Sequence, residues 1–269
     1  MKNKDICLCI VLYKCQLTDC LTYKTLITFT KSVLYVYDNS PFSQVIIRPN
    51  TIYVHDAKNS GLSVAYNSAA KYAKENGFKW LLLLDQDTDF SGILFDDFVN
   101  SIETTPNIKL FAPKVKCGEK YMSPVKTWHR MGVLQKTAPE GIISLSDYSI
   151  INSGMCINVD AMIECGGYNE KVFLDQSDFE FLEKFKRLHP VAFIIGKDIK
   201  QQLSVFSDNN NSVIGRYRLY CKSVKGCEKK TFFEPFWLFI LVLKRGLSIC
   251  IRRKTLQPIK IFLSEYIRS

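Results

Sequence analysis

The sequence predicts an α/β protein with a mostly parallel central sheet and helices on both faces. Two observations predict this fold. Strand and helix signals alternate along roughly the first hundred residues, which is the pattern of successive β-α-β units. The apolar run Trp80–Leu84 is typical of a strand buried on both faces. It ends at Asp85, and open sheets of this kind place their ligands beyond the carboxyl ends of the strands.

The individual elements follow from apolar periodicity and turn residues. Strands are predicted for "ICLCIVLY", "VLYVYDNSP", "TIYVH", "SIINSGMCINV" and "VAFIIG". Helices are predicted for "TDCLTYKTLITF", capped by Thr18 or Asp19, and for "GLSVAYNSAAKYAKENG", which Gly77 ends. A further helix is predicted from Asp178 to Leu188.

Composition narrows the class of protein and of partner. With 269 residues, 47% of them hydrophobic, the chain can bury the core of one domain or of one and a half. Its 36 Lys and Arg exceed its 26 Asp and Glu, giving a net charge of +10. This charge indicates a polyanionic partner, namely nucleic acid, an acidic membrane surface or a phosphorylated ligand. No helix-turn-helix, zinc or RNP pattern is present, so we exclude nucleic acid.

The cysteines and the amino-terminal segment indicate a cytosolic protein. The ten cysteines contain no C-x-x-C pair, and several lie in apolar strand-like runs, so we interpret them as reduced thiols. The start "MKNKDICLCIVLYK" is similar to a signal peptide through Lys2 and Lys4. Its apolar stretch is short, ends at Lys14 and lacks a small-residue cleavage site, so we expect a first strand instead.

A cluster of carboxylates, Asp85, Asp87 and Asp89, follows the buried strand. A calcium loop of the EF-hand type requires Gly where this chain has Phe90, and a preceding helix instead of a strand. A haloacid-dehalogenase-like phosphatase would use Asp85 as nucleophile and Asp87 as acid/base, but that family has Thr or Val in place of Asp89. A nucleotide-sugar site would use D-x-D to hold a cation that neutralises the leaving diphosphate. A solvated acidic turn is the fourth alternative, and D-x-D alone does not decide among them.

Five motifs in order favour the nucleotide-sugar site. The chain carries "CIVLY", "VYDNSP", "NSGLSVAYNSAAKYA", "WLLLLDQDT" and "SGMCINVDAMIECGGYNEKVFLDQSDFEF". From Cys7 to Leu188 this order resembles the family 2 glycosyltransferases of the GT-A fold, most closely their bacterial rhamnosyltransferase-like branch. The resemblance implies an inverting enzyme of surface polysaccharide synthesis. Its donor would be a nucleotide diphosphate sugar, with dTDP or UDP as the nucleotide and L-rhamnose favoured as the sugar, and its acceptor a saccharide.

The resemblance assigns the donor site by position. Val11 and Tyr13 match the strand end that lies beside the base, and Asp38 matches the residue that accepts a hydrogen bond from the base. Asn59 and Gly61 match the N-x-G loop beside the nucleotide. Gly61 permits close backbone approach at a helix N-terminus, which suits a phosphate. A turn former at Asp38 and a helix cap at Asn59 are the structural alternatives.

The same resemblance assigns the metal and sugar contacts. Asp87 is the expected direct ligand of Mg²⁺ or Mn²⁺, both of which accept oxygen ligands in octahedral geometry. Asp85 is expected to orient the ribose or a metal-bound water, or to be a second ligand, and Gln86 lies between the two carboxylates. The sugar pocket is expected at Asn152, Ser153 and Gly154, which belong to the family's strand before the G-G-Y-N-E turn.

Transfer with inversion needs a base that takes the proton of the acceptor hydroxyl. Counting from the Gly166–Gly167 turn places Asp178 where the family's base stands, with Asp175 as a substitute. Ser177 replaces the family's Glu just before it, and Lys14 replaces a frequent Asn. These departures keep a catalytically inactive domain, which binds nucleotide or membrane, as an alternative beside the phosphatase.

The chain is expected to divide into a GT-A domain at 1–220, with halves 1–113 and 114–220, and a basic, apolar helical tail at 221–269. The unbroken apolar run Phe236–Leu243 is shorter than the roughly 20 residues that span a bilayer. We expect a helix at an anionic membrane surface, which places the protein at the inner face of the cell membrane and favours a lipid-linked acceptor. Packing of the tail on the chain's own core or on a second subunit is the alternative.

Overall fold

The computed structural model describes residues 5–201, 210–229 and 231–268. Within these residues the strands are β1 (Ile6–Leu12), β2 (Leu34–Asp38), β3 (Thr51–His55), β4 (Trp80–Asp85), β5 (Thr88–Asp89), β6 (Leu110–Cys117), β7 (Lys120–Ser123), β8 (Val125–Trp128), β9 (Met131–Gly132), β10 (Gly141–Ser144), β11 (Tyr148–Ser149), β12 (Cys156–Asn158) and β13 (Val191–Gln201). The helices are α1 (Leu21–Thr25), α2 (Leu62–Glu75), α3 (Phe95–Thr104), α4 (Val159–Glu164), α5 (Ser177–Phe185), α6 (Asn210–Gly226), α7 (Glu234–Arg253) and α8 (Gln257–Ile261). A π-helical segment, Phe262–Ile267, follows α8.

A ten-stranded mixed sheet forms the centre of the fold. Its main path runs β10-β13-β6-β12-β4-β1-β2-β3, with β5 paired to β13 and β7 to β6. Strand β1 is parallel to β2 and β4, and β2 is parallel to β3, whereas β12 is antiparallel to β4 and β6. In register, Val11 pairs with Asp85 and Leu12 with Asp38. The parallel strands therefore end at one edge of the sheet, as the sequence predicts.

Apolar layers cover both faces of the sheet, and β1 is therefore buried on both sides. Alternate β1 residues enter the two layers, with Cys7, Cys9 and Val11 in one and Ile6, Leu8, Ile10 and Leu12 in the other. The first layer contains the alanines of α2, whose small side chains let the helix lie close to the sheet. The second layer contains the apolar residues of α3 and of the segment around α1. This two-sided burial explains why β1 and β4 are continuous apolar runs.

The carboxyl-terminal helices form a third apolar cluster. Tyr217 of α6, Val242 of α7 and Phe262 pack together, and the Tyr217 hydroxyl donates to the Val242 carbonyl at 3.0 Å. Val172, from the loop before α5, joins this cluster and ties the helices to the sheet domain. The expected division points at 113/114 and 220/221 lie inside β6 and α6, so neither coincides with a linker.

Two elements differ from the sequence prediction. The long helix predicted for "TDCLTYKTLITF" is replaced by α1 of five residues between two 3-10 segments, Leu17–Asp19 and Ile27–Phe29. Neither Thr18 nor Asp19 caps α1, whose N-cap is Cys20, without a side-chain bond. Hydrogen bonds between Thr22 and the acidic turn override the helix propensity here. The strand predicted for "SIINSGMCINV" is interrupted between β11 and β12 by a turn with Gly154 at φ +83°.

Candidate active site

A cavity of about 700 Å³ lies beyond the carboxyl ends of β1 and β4. Most of the site residues predicted from the sequence line it: Val11, Tyr13, Asn59, Gly61, Asp85, Gln86, Asp87, Asn152, Asp175 and Asp178. Of the described residues with a predicted role, Asp38, Ser153 and Gly154 are outside the lining. The cavity therefore unites motifs that are up to 167 positions apart, from Val11 to Asp178.

Hydroxyl groups fix the acidic turn after β4. The Thr22 hydroxyl donates to the Asp85 carbonyl and accepts the Thr88 amide at 3.3 Å. The Ser153 hydroxyl contacts the Thr88 hydroxyl at 2.7 Å. Ser153 therefore supports the turn from behind, instead of lining the sugar pocket as the sequence predicts.

Asp85 and Asp87 have an environment that suits a cation. Burial, followed by the charge of Asp87, raises the pKa of Asp85 to about 6. Tyr66 donates to Asp85 Oδ1 at 3.3 Å, and Gln201 Nε2 donates to Asp85 Oδ2 at 3.0 Å and to Asp87 Oδ1 at 3.1 Å. A divalent cation would favour both ionised carboxylates, and their hard oxygens are the ligands that Mg²⁺ and Mn²⁺ prefer. No group of three His, Cys, Asp or Glu residues suited to a metal occurs among the described residues, so this pair needs further oxygen ligands.

The end of β1 is held by Gln86. Its Oε1 accepts the Tyr13 amide at 2.8 Å, and its Nε2 donates to the Tyr13 carbonyl at 3.3 Å. Both polar atoms of the Gln86 side chain are thereby used, so Gln86 positions Tyr13. The Tyr13 ring is 45% exposed, and the ammonium of Lys14 lies 5.2 Å from its centroid. The exposed ring is a surface on which a planar base can stack.

Asp38 does not reach the cavity. It is fully buried, and its carboxylate accepts hydrogen bonds from the Ser40 amide at 2.9 Å, from Gln44 Nε2 at 2.8 Å and from the Tyr53 hydroxyl at 2.8 Å. The expected bond from Asp38 to a nucleobase is therefore replaced by internal bonds that shape the turn. Asn39 lines the cavity instead, and its Oδ1 has no partner within the described parts of the chain.

Gly61 is required for packing against the Phe173 loop. Its φ is +97°, and a Cβ added there would lie 2.5 Å from the carbonyl oxygen of Phe173. That carbonyl accepts the Leu62 amide at 2.9 Å, so the first turn of α2 already has an acceptor from the protein. The close approach predicted at Gly61 is thus made by this loop, and it leaves less of the helix N-terminus for a phosphate.

Asn152 forms part of the cavity wall. Its Oδ1 accepts the Tyr168 hydroxyl at 2.7 Å, and its Nδ2 donates to the Ser177 hydroxyl at 3.1 Å. Asn152 thereby connects the wall to the first turn of α5. The Gly154 amide donates to the Leu83 carbonyl of β4 at 2.8 Å, and Gly154 does not line the cavity.

Asp178 supplies a carboxyl group to the lining of the cavity, at the start of α5. It lies in the first turn of α5, and its Oδ1 accepts the Phe179 amide at 2.8 Å. Burial, reinforced by the negative charge of Asp175, raises the pKa of Asp178 to about 7. A base with a pKa near the working pH combines the ionised form with useful proton affinity. Ser177, the departure noted in the sequence, is the partner of Asn152.

Asp175 is bound by two arginines that sequence reasoning missed. Arg216 of α6 makes a bidentate pair with it, from Nε to Oδ2 at 3.0 Å and from Nη2 to Oδ1 at 3.1 Å. Arg245 of α7 lies 3.6 Å from Oδ1 and 4.0 Å from the centroid of the Tyr220 ring. Both arginines line the cavity. The expected role of Asp175 as a substitute base is therefore replaced by a structural ion pair, since both oxygens are engaged.

Contacts of Arg130 and His129 with α5 and α7 stabilise the edge of the site. Arg130 bonds to Glu180 of α5 and to Glu234 of α7, the latter at 2.8 Å, and Glu180 is 1% exposed. The His129 ring stacks on Trp237 with a centroid distance of 4.0 Å. Of Trp128, His129 and Arg130, none lines the cavity described above.

Helix α7 has two different apolar faces. Leu238, Leu241, Val242, Gly246 and Ile249 are buried in the chain's own core. The outer face forms a groove of about 430 Å³, lined by Ile240, Leu243, Lys244, Leu247, Ser248, Ile251 and Arg252. Across the described segments, the search for a helix long and apolar enough to span a membrane finds none.

Comparisons with solved structures identify proteins with a similar fold. No protein-family model and no curated protein matches the sequence. Among solved structures, S. aureus TarS has a TM-score of 0.56 at 14% identity over 91% of this chain and 44% of its own. GalNAc-T7 with UDP, GalNAc and Mn²⁺ has a TM-score of 0.56 at 11% identity over 97% of this chain and 56% of its own. The mannosyltransferase PcManGT from Pyrobaculum calidifontis, with GDP-Man and Mn²⁺, has a TM-score of 0.52 at 12% identity over 97% and 79%.

The chain spans about half the length of the first two of these proteins. At such identities the likeness concerns the fold alone. The mixed sheet with α2 and α5 on one face and α1 and α3 on the other is the GT-A fold.

Proposed function

We propose that the chain is an inverting, metal-dependent glycosyltransferase that uses a nucleotide diphosphate sugar. The observation that carries the proposal is that one cavity contains both the Asp85–Asp87 pair and Asp178, whose pKa is raised to about 7. The GT-A fold supports it, as do two structures with this fold, one of which contains UDP and Mn²⁺ and the other GDP-Man and Mn²⁺.

On the donor side, Tyr13 and Asn39 would contact the base, and Asp85 and Asp87 would hold Mg²⁺ or Mn²⁺. The bound cation would neutralise charge on the leaving nucleoside diphosphate. Arg216 and Arg245 add positive charge to the same cavity. This distribution suits a ligand with two phosphates between carboxylates and guanidinium groups.

On the acceptor side, Asp178 would accept the proton of the attacking hydroxyl while the carbon–oxygen bond forms at the anomeric carbon. Direct displacement inverts that carbon. The acceptor is a saccharide, and a lipid-linked one fits the basic, apolar helices at the end of the chain. A dTDP-L-rhamnose donor and a role in surface polysaccharide synthesis rest on the sequence resemblance alone.

The test compares nucleoside diphosphate release with UDP-, dTDP- and GDP-sugars in the presence of lipid-linked saccharide acceptors. For the donor that is used, Asp178→Asn should lower kcat by about 100-fold or more, because general-base catalysis contributes on that order. The KM of the donor should change little. Equal kcat in wild type and variant would exclude Asp178 as the base. A phosphatase would instead release phosphate from phosphomonoesters without any acceptor.

We further propose that the outer face of α7 docks on an anionic membrane surface at the cytoplasmic side. On this face Ile251 is 79% exposed. Phe232, just before the start of α7, is 91% exposed. Lys244 and Arg252 line the same groove and complement anionic lipid headgroups. The buried face of α7 belongs to the core, so deletion of the tail would unfold the protein and point variants are the proper test.

Flotation with liposomes tests this surface. Ile251→Asp should reduce flotation with anionic liposomes, while Ile163→Asp, an exposed isoleucine on α4, should not. Wild type should float less with zwitterionic liposomes. Equal flotation of wild type and Ile251→Asp would contradict docking through α7, and dimer formation through this face would appear in sedimentation experiments.

A further inference from the structure

Gln201 lies against the acidic turn although no sequence motif marks it. It is the last residue of β13 and pairs in antiparallel register with Thr88 of β5. Because of this pairing, the Gln201 side chain lies beside Asp85 and Asp87. Its amide nitrogen stands between Asp85 Oδ2, at 3.0 Å, and Asp87 Oδ1, at 3.1 Å.

The two ends of this amide are unequally satisfied. The nitrogen makes both hydrogen bonds, whereas Oε1 is buried and has no partner in the parts of the chain that the structure describes. A buried acceptor without a partner destabilises the arrangement that leaves it unpaired. In this arrangement the amide nitrogen is the group that separates two like charges.

A cation between the same carboxylates would reverse the preference of the amide. The N–H dipoles would then face a positive charge, while the unpaired oxygen would face away from it. A half-turn of the terminal amide exchanges nitrogen and oxygen without moving β13. The side-chain carbonyl of Gln is an accepted ligand of hard divalent cations.

We propose that Gln201 is an oxygen ligand of the donor-site metal, and that its amide turns over on metal binding. In the metal-free chain the nitrogen bridges Asp85 and Asp87. In the loaded chain Oε1 joins them as a third protein oxygen. This inference rests on the proposed function, because it requires that the Asp85–Asp87 pair binds a divalent cation.

Mn²⁺ binding to the full chain tests the inference directly. Free Mn²⁺ is measured by electron paramagnetic resonance during titration, with and without UDP, and no turnover is needed. Gln201→Ala should weaken Mn²⁺ binding about tenfold or more. Substitution of residues that support metal ligands typically lowers metal affinity by at least this factor. Gln201→Glu, which keeps an oxygen at the same reach, should bind at least as tightly as wild type.

Two variants serve as controls for the Mn²⁺ titration. Lys200→Ala alters the neighbouring exposed residue, which pairs with Asp89, and should leave Mn²⁺ affinity unchanged. Asp87→Ala should abolish site-specific binding. Unchanged or tighter binding in Gln201→Ala would overturn the proposal, because the amide would then only occupy the place of the cation.

Failure of this inference is distinguishable from failure of the proposed function. If Asp87→Ala loses Mn²⁺ and Gln201→Ala does not, the metal site stands and Gln201 is not a ligand. If wild type binds nucleotide and transfers sugar without Mn²⁺ at Asp87, the transferase stands and the ligand role of Gln201 falls. If neither nucleotide nor Mn²⁺ binds, both fall.

Discussion

Asp175 and Arg216 form a bidentate salt bridge between the loop before α5 and helix α6. The bridge joins the carboxyl-terminal helices to the cavity wall, next to Asp178. The amino acid predicted as a substitute base thereby anchors α6, and α6 in return supplies a guanidinium to the cavity. The basic end of the chain is thus part of the candidate active site.

Removing Arg216 should weaken binding of anionic ligands. Arg216→Ala leaves Asp175 without its bidentate partner and removes one positive charge from a cavity that contains Asp85, Asp87 and Asp178. We expect UDP to bind about tenfold more weakly in isothermal titration, and the free energy of unfolding in urea to fall by about 1–3 kcal/mol. Arg216→Lys should recover part of the affinity, since it keeps the charge and loses the planar fork. Wild-type UDP affinity in Arg216→Ala would contradict this role.

Asp175 and Asp178 should respond differently to the same chemical change. Asp175→Asn keeps the shape of the side chain and weakens an ion pair, so we expect kcat to fall by less than about tenfold. Asp178→Asn removes the base, and the expected loss of kcat is about 100-fold or more. Single-turnover measurements on both variants make the comparison. A larger loss of kcat in Asp175→Asn than in Asp178→Asn would indicate that Asp175, and not Asp178, is the base.

The pH dependence of transfer should report the raised pKa of Asp178. A base acts in its ionised form, and burial raises the pKa of this carboxyl to about 7. We expect kcat/KM to rise tenfold per pH unit below about pH 7 and to level off above it. The measurement is a profile from pH 5.5 to 8.5 at saturating Mn²⁺. A profile that is flat through this range would mean that no group with this pKa takes the proton.

Gly61 and Gly77 form a matched pair at the two ends of α2. Both have positive φ, +97° and +75°, but only at Gly61 would a Cβ meet the Phe173 carbonyl, whereas at Gly77 nothing lies within 4 Å. Gly77→Ala should cost about 1 kcal/mol of unfolding free energy, the strain of a left-handed residue. Gly61→Ala should cost at least about 1–3 kcal/mol more and lower donor affinity, because the Phe173 loop must move. Equal urea midpoints for the two variants would contradict the packing role of Gly61.

The sheet and the acidic turn were predictable because they depend on local patterns. Continuous apolar runs identify β1 and β4, and parallel strands bring their carboxyl ends to one edge. Asp178 was predictable only through its resemblance to a family motif. The position of Asp38 was predicted, but not its burial, because Gln44 and Tyr53 reach it only in the folded turn.

Gln201, Arg216 and Arg245 were beyond sequence reasoning. Gln201 reaches Asp85 through the pairing of β13 with β5, a contact across 116 positions. Arg245 belongs to the basic, apolar tail, whose charge pattern indicates a membrane surface as readily as a phosphate site, and Arg216 precedes that tail in a segment without a recognised motif. Their role depends on how α6 and α7 pack, which periodicity does not encode.

Thermal stability with nucleotides is the most direct test of the central claim, that the cavity is a metal-dependent nucleotide-sugar site. Wild type and Asp87→Ala are melted with UDP, dTDP, GDP or CDP, with Mg²⁺, with Mn²⁺ or with EDTA. A ligand at 100 times its Kd stabilises by about 2.7 kcal/mol, which corresponds to a rise in Tm of roughly 5 °C or more. We predict such a rise for one nucleotide, and its loss in EDTA and in Asp87→Ala. No rise with any nucleotide in wild type, or an equal rise in Asp87→Ala, would contradict the account.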